Sequence, residues 1–393
     1  MTVFIFNDRF SANLGDGLLA ESLEHHLQQA LPNMRVCTLD VDGKTGYATL
    51  GYGAVEGWKK YIWMPVWMRR AVRCKRAYKR LQNHIAQKTA QVGNPTAFVV
   101  GGGHLITATS DYFPIRLLAI MDYATARNIP VFIHAVGVSH PSTWGAGDAS
   151  MLRQALMNRP CLRRVAVRDA PSQTLWNDTF GTPLSMLAKD PGLVGDVVVA
   201  GAPANTMLRR IGLGVMQPKV VADIMKNTSP LDAAFYHGVA RGLVEQGLSP
   251  YLFTNGDGAD EAFLSHVMQT LPADMKGKVQ QAPMPRTPVE LLTIIRSCTA
   301  IVAQRLHANI AAWSLNIPHV GLGWDPKLLS FFKLTEREAC FVPAEGCSVA
   351  HVVDIALNAL KTPLDTTVTH ALRHQTVQDV KSLAHEIQSI IKP

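Results

Sequence analysis

No apolar run in this 393-residue chain approaches the ~18 residues that a membrane-spanning helix needs. The opening residues, MTVFIFNDRF, reach Asp8 and Arg9 too soon to supply the apolar core of a secretory signal. The six cysteines, at 37, 74, 161, 298, 340 and 347, lie far apart with no Cys-x-x-Cys pair, which excludes a disulfide scaffold and a zinc ribbon. Charged residues make up 17% of the chain, below the roughly 25% of ordinary soluble domains, while 47% are hydrophobic. That balance excludes a disordered chain and a charged coiled coil. A globular protein of the reducing cytoplasm is expected. No cluster with metal-ligand spacing is visible, so no metal is expected either.

Acidic residues are missing altogether between Glu56 and Asp111. The same stretch holds ten basic ones: Lys59, Lys60, Arg69, Arg70, Arg73, Lys75, Arg76, Lys79, Arg80 and Lys88. The whole chain carries a net charge of only +8, so the remainder is slightly negative and the basicity is a patch. Trp58, Tyr61, Trp63, Trp67 and Tyr78 are interleaved with it. Rings beside cations suit a water–lipid interface, where each basic residue near an anionic leaflet contributes about 1 kcal/mol. Contact with an anionic membrane surface is the leading reading, ahead of a solvated helix whose rings pack on its own domain. Nucleic acid comes third and is not expected as a partner, because no recognition motif accompanies the charge.

The rest of the chain alternates short β-rich runs with helical spacing. Residues 2–6, 36–39, 97–100, 131–136 and 165–167 read as strands, with helices near 18–31 and 115–126. The rhythm pauses from Asp190-Pro191 to about Thr206 and restarts with strands at 211–215, 251–253, 300–303 and 318–322. Ser229-Pro230 is expected to open a helix closed by Gly247, and another helix covers 262–271. Thr287-Pro288-Val289-Glu290 is a capping box with proline at the first helical position, so a helix starts there. A last helix covers about 367–391. Such alternation predicts an α/β protein of two doubly wound, Rossmann-like domains facing a cleft. The expected divisions are 1–205, 206–362 and a terminal helix at 363–393.

Three strand-end loops carry unusual chemistry, and ligands of open α/β sheets bind beyond the carboxyl ends of the strands. In Asn13-Leu14-Gly15-Asp16-Gly17, Asn and Asp suit hydrogen bonds to sugar hydroxyls, although on spacing alone capping and turn formation is favoured. Gly101-Gly102-Gly103-His104 lacks the Gly-Lys-Ser/Thr continuation of a phosphate loop, and its glycines predict close backbone approach or an open cleft. A lone histidine such as His104 is more often structural than catalytic. Gln304-Arg305-Leu306-His307-Ala308-Asn309 follows a strand directly. Arg305 there is either a binder of carboxylate or phosphate or a buried partner of an acid, and His307 either a proton carrier or a core residue.

Taken in order, these pieces resemble the polysaccharide pyruvyl transferase family. The landmarks are Asn13-x-Gly15-Asp16, Val99-Val100-Gly101-Gly102-Gly103, Val167-Arg168-Asp169-x-x-Ser172, Asp190-Pro191, Gln304-Arg305-Leu306-His307-Ala308 and Trp324-Asp325-x-Lys327. His104 and the basic insert at 57–90 depart from the family pattern. The resemblance implies a fold similar to the GT-B glycosyltransferases, with the last helix crossing back to the first domain. It implies transfer of the pyruvyl group of phosphoenolpyruvate, a co-substrate rather than a cofactor, onto two hydroxyls of one sugar. Carried onto this chain, Arg168, Arg305 and Lys327 would hold the donor and His307 would be the general acid. Asn13 and Asp16, with Gly102, Gly103 and His104, would face the acceptor, Asp16 being also a candidate base. The implied acceptor is an envelope or exopolysaccharide repeat unit, typically polyprenyl-linked, which places the enzyme at the inner face of the plasma membrane. Two alternatives are a sugar-nucleotide glycosyltransferase of similar architecture and a non-catalytic binder of anionic ligands.

Overall fold

In the computed structural model the described residues are 1–47, 63–181, 185–200, 209–218, 231–323, 325–345 and 347–390. Trp58, Lys59, Lys60 and Tyr61, the end of the expected crossing stretch at 201–206, Ser229-Pro230 and Trp324 lie outside them. The chain divides into two compact units. One comprises Met1–Ser11, Leu19–Pro191 and Gln375–Pro393, the other Ala12–Leu18 and Gly192–His374.

The first unit holds β1 (Thr2–Asn7), most of α1 (Leu14–Ala30), β2 (Arg35–Asp40), α2 (Val66–Val92), β3 (Pro95–Ile106) and α3 (Tyr112–Ala126). β4 (Val131–Val138), α4 (Ala146–Leu156), β5 (Leu162–Val167), α5 (Ala170–Phe180) and β6 (Ser185–Leu187) complete it. The strands form a sheet in the order β2-β1-β3-β4-β5-β6, parallel throughout. Every residue of β1 is buried, as a central strand covered on both faces requires. Its two-residue period sends Phe4 and Phe6 into one core with Leu81 and Ile85 of α2, and Val3 and Ile5 into another with Leu23 and Leu27 of α1.

The structure corrects two local expectations and shows what the basic stretch forms. α1 begins at Leu14, not near Leu18, so Gly15 and Asp16 are in its first turn and not in a loop. β3 continues through the glycine triplet to Ile106, with Gly102 and Gly103 at φ of +76° and +93°. The triplet is therefore a kink within a strand. A side chain at Gly102 would start 3.3 Å from the Leu19 Cβ, so that space belongs to α1. Most of the basic stretch forms a single helix of 27 residues, α2, docked through Cys74, Ala77, Tyr78, Leu81 and Ile85.

The second unit follows with β7 (Arg210–Gly214), α6 (Ala233–Glu245), β8 (Ser249–Phe253), α7 (Gly258–Gln269), β9 (Gln280–Gln281) and α8 (Pro288–Arg296). Then come β10 (Ala300–Ala303), α9 (Leu306–Ser314), β11 (His319–Leu322), α10 (Pro326–Leu334), β12 (Phe341–Val342) and α11 (Val349–Lys361). Its sheet order is β12-β11-β10-β7-β8-β9, again all parallel. α6 starts at Ala233, where the Asp232 side chain accepts from the Phe235 amide, later than the Ser229-Pro230 reading placed it. α8 starts as expected, with Thr287 as cap and Pro288 in the first turn. The last helix, α12 (Thr366–Ser389), belongs to the second unit up to His374 and to the first from Gln375 onward. Among the described residues no helix is long and apolar enough to cross a membrane.

Each chain order reverses once, between β1 and β3 in the first sheet and between β7 and β10 in the second, and such switch points are where open α/β sheets take ligands.

His134 in β4 and His319 in β11 are fully buried. Burial, reinforced by Arg164 and Arg337 respectively, holds both imidazoles down to about 3. The unfolded chain thus binds more protons below its ordinary histidine range, so stability is lost as the pH falls from there. Between pH 6.5 and 5 the loss should be about 2 kcal/mol per histidine. Urea titrations at both pH values check this: His134→Leu should shrink the acid loss, and an unchanged loss would contradict a neutral His134.

Candidate active site

The chain leaves β10, buried at all four positions, and enters α9 within three residues. Arg305 is the N-cap residue of α9, but its side chain does not cap. It turns to α7 instead, where Nε and Nη2 donate to one oxygen of Asp260 at 3.0 and 2.7 Å. Asp260 is fully buried in the first turn of α7, and its other oxygen accepts from the Gln217 amide at 2.8 Å. Burial pushes the Asp260 carboxyl up from its ordinary value, opposed by Arg305 and by that amide. Beside the pair, the Met216 amide donates to the Tyr236 hydroxyl, which donates to Gln304 Oε1 at 3.2 Å. Burial drives the Tyr236 phenol far upward, so it remains a donor.

His307 sits in the first turn of α9, against residues 12–18 of the same unit. The contact is very close. A Cβ added to Gly15 would lie 2.1 Å from the His307 Cβ and 2.5 Å from Nδ1, so only glycine fits there. Asp16 Oδ1 stands 3.6 Å from His307 Nδ1, an ion pair when the imidazole is protonated. The segment is tied down by the Leu14 amide donating to the Asn255 carbonyl at 2.9 Å and by Asn255 Nδ2 donating to Asn13 Oδ1 at 3.3 Å. Gly256, at φ +92°, completes the fit, since a side chain there would strike Leu14 at 2.9 Å. The first turns of α1, α7 and α9 thus meet around Arg305 and His307, and helix N-termini favour anions.

Lys327 is in the first turn of α10, which follows β11, with Nζ 3.1 Å from the Asp325 carboxylate that also caps the helix. The remaining candidates are in the first unit. Arg168 is buried, with Nε 3.3 Å from Asp169 and Nη1 3.6 Å from Asp190. His104 meets it over Gly137, where an added Cβ would be 2.5 Å from the ring and 3.0 Å from the guanidinium. Among the described residues no three His, Cys, Asp or Glu side chains are grouped to hold a metal.

A model of the polysaccharide pyruvyl transferase family matches residues 13–326. The chain belongs to that family. No curated protein matches it in sequence. Among solved structures it resembles S. aureus MnaA with UDP, at TM-score 0.58, 10% identity, and coverage of 99% of this chain and 96% of that one. It also resembles the UDP-GlcNAc 2-epimerase of Methanocaldococcus jannaschii, at TM-score 0.54 and 10% identity over 93% and 92% of the two chains. A UDP-glucosyltransferase from Polygonum tinctorium aligns at TM-score 0.52 and 10% identity over 98% of each. At such identities the likeness is one of fold: two Rossmann-like domains, as in the GT-B glycosyltransferases.

Several landmarks of this pyruvyl transferase family member are helix starts. Asp169 caps α5 by accepting from Ser172 N, and Asp325 caps α10 by accepting from Lys327 N. The structure joins Asp16 to His307, and Asn13 to the same unit through Asn255. It gives Arg305 a carboxylate partner in Asp260, so the reading of that arginine as paired with an acid holds in the structure, and it also sets Arg168 beside Asp169 and Asp190. Gly102 and Gly103 serve the strand kink. Sequence reading missed Asp260, Gln217, Tyr236 and Asn255. The turn signal Asn255-Gly256-Asp257-Gly258 marks where α7 starts and could have located Asp260.

This packing can be tested at two residues. Alanine is a better helix former than glycine by about 1 kcal/mol, yet Gly15→Ala should lower the thermal midpoint because His307 occupies the space. A raised midpoint would contradict the contact. Asp260→Asn keeps an acceptor for Gln217 but strands Arg305, and should cost about 2–3 kcal/mol in urea unfolding. A loss near zero would mean the pair does not organise this end of the sheet.

Proposed function

We propose that the protein transfers the pyruvyl group of phosphoenolpyruvate onto two hydroxyls of one sugar in an envelope or exopolysaccharide repeat unit, forming a cyclic ketal and releasing phosphate. The family supports a pyruvyl transferase in general. The observation that carries the finer reading is His307 held against Asp16 beside Arg305, at a switch point ringed by helix N-termini. Phosphoenolpyruvate brings a carboxylate and a phosphate close together, which suits a cation and free backbone amides. Arg305 lends the guanidinium edge turned away from Asp260, and Lys327 adds charge one strand over.

His307, facing Asp16, gives its proton to the methylene carbon, and C2 becomes electrophilic. The first sugar hydroxyl attacks C2 as Asp16 takes its proton, which returns to His307 and restores the acid. The C2–O bond to phosphate then breaks, and the second hydroxyl closes the ring. Its proton leaves with the phosphate. One hydroxyl proton therefore ends on the new methyl group and the other on phosphate, with no redox change and no cofactor. Asn13 lies beside Asp16 in sequence and would position the acceptor, for which a polyprenyl-linked oligosaccharide is the proposed class.

The test uses phosphoenolpyruvate with lipid-linked oligosaccharides extracted from bacterial membranes, reading phosphate release and the ketal methyl signal. In deuterated water that methyl should carry one deuterium. His307→Gln should lower kcat by about 10²–10⁴-fold with the KM for phosphoenolpyruvate nearly unchanged. Turnover of a sugar nucleotide with release of its diphosphate, and none of phosphoenolpyruvate, would replace this reading with a glycosyltransferase.

A further inference from the structure

The packed face of α2 is a single stripe, with Cys74, Tyr78, Leu81 and Ile85 recurring at three- and four-residue steps against the first unit's core. Trp67 stands seven residues before Cys74, two turns back along that stripe, and Trp63 lies just ahead of the helix, before its Pro65 cap. There the core no longer covers it. Trp63, Val66 and Trp67 are 76, 72 and 71% exposed, three large apolar side chains within five residues. No other tryptophan among the described residues is exposed.

The charge on the same helix is equally one-sided. α2 carries no acidic residue. Arg70 and Arg73 are paired with Asp111, Arg70 also with Asp148, and Arg80 with Asp42, so some of the basic stretch is neutralised by its own unit. Lys75 and Lys79 are exposed, one turn apart and off the packed stripe. Trp67 to Lys79 spans about 18 Å of helix, close enough for ring insertion and headgroup contact in one encounter.

We propose that the exposed start of α2 docks on an anionic lipid surface, with Trp63, Val66 and Trp67 entering the interface and Lys75 and Lys79 facing the headgroups. Indole rings settle at headgroup depth, and lysines within reach of an anionic leaflet add attraction that salt weakens. Nucleic acid accounts for the lysines but leaves Val66 without a role, since single-strand binders present rings for base stacking.

The experiment is flotation of the full chain with phosphatidylcholine vesicles, with or without 30% phosphatidylglycerol, at 50 and 500 mM salt. Binding should need the anionic lipid and fall at least tenfold at high salt. Trp63→Ala with Trp67→Ala should weaken binding at least tenfold, as should Lys75→Ala with Lys79→Ala, with thermal midpoints unchanged because all four residues are exposed. A blue shift of tryptophan emission on vesicles, lost in the tryptophan variant, would place the rings in lipid. Equal binding of the variants, no binding to anionic vesicles, or concentration-dependent dimerisation abolished by the tryptophan changes would each overturn the proposal. The last result would make the stripe a contact between copies of the chain.

Discussion

The second unit depends on one close approach. His307 can occupy the first turn of α9 only because Gly15 presents no side chain to it, and Gly15 is there because Asn255 and Gly256 anchor the segment around Leu14. A methyl group at residue 15 would fall 2.1 Å from the His307 Cβ, far inside van der Waals contact, so imidazole and helix start cannot be varied independently. The same contact sets Asp16 Oδ1 3.6 Å from Nδ1. A proton donor that must act on carbon benefits from such immobility, since little remains to be organised when the donor arrives.

Arginine placement follows a second rule. Arg305 and Arg168 are both held by carboxylates, Arg305 through two hydrogen bonds to a buried aspartate. Holding one edge of a planar guanidinium fixes the direction of the other, so less rotamer freedom is lost when an anion binds. The carboxylate also lowers the local positive potential. In the proposed reaction, selectivity would then rest on the sum of Arg305, the backbone amides of three helix starts and His307, rather than on one strong cation.

How much of this was legible in the sequence differs from element to element. Strands such as 2–6 and 300–303 were readable because central parallel strands are short unbroken apolar runs. His307 was readable as a candidate because it follows such a run directly. The start of α1 was not, because Gly15 and Asp16 are turn-formers by composition and are helical in a segment held by contacts with Asn255 and His307, far away in sequence. Nor was the glycine kink in β3, since only the position of Leu19 reveals what the missing side chains make room for. α2 was weighed as a helix packing on its own domain but ranked behind a membrane-facing patch, its apolar stripe being diluted by arginines that pair with Asp111, Asp148 and Asp42. Asp260 escaped notice because its partners, Arg305 and Gln217, lie 45 and 43 positions away in sequence.

The central claim is that this end of the second sheet recognises phosphoenolpyruvate. Thermal unfolding of the purified protein with phosphoenolpyruvate, UDP or a UDP-sugar, repeated with Arg305→Ala, tests it most directly. A ligand at 100 times its Kd adds about 2.7 kcal/mol to stability, a readily measured shift in midpoint. The account predicts stabilisation by phosphoenolpyruvate that is lost in the variant. Stabilisation by the nucleotides and none by phosphoenolpyruvate would contradict it.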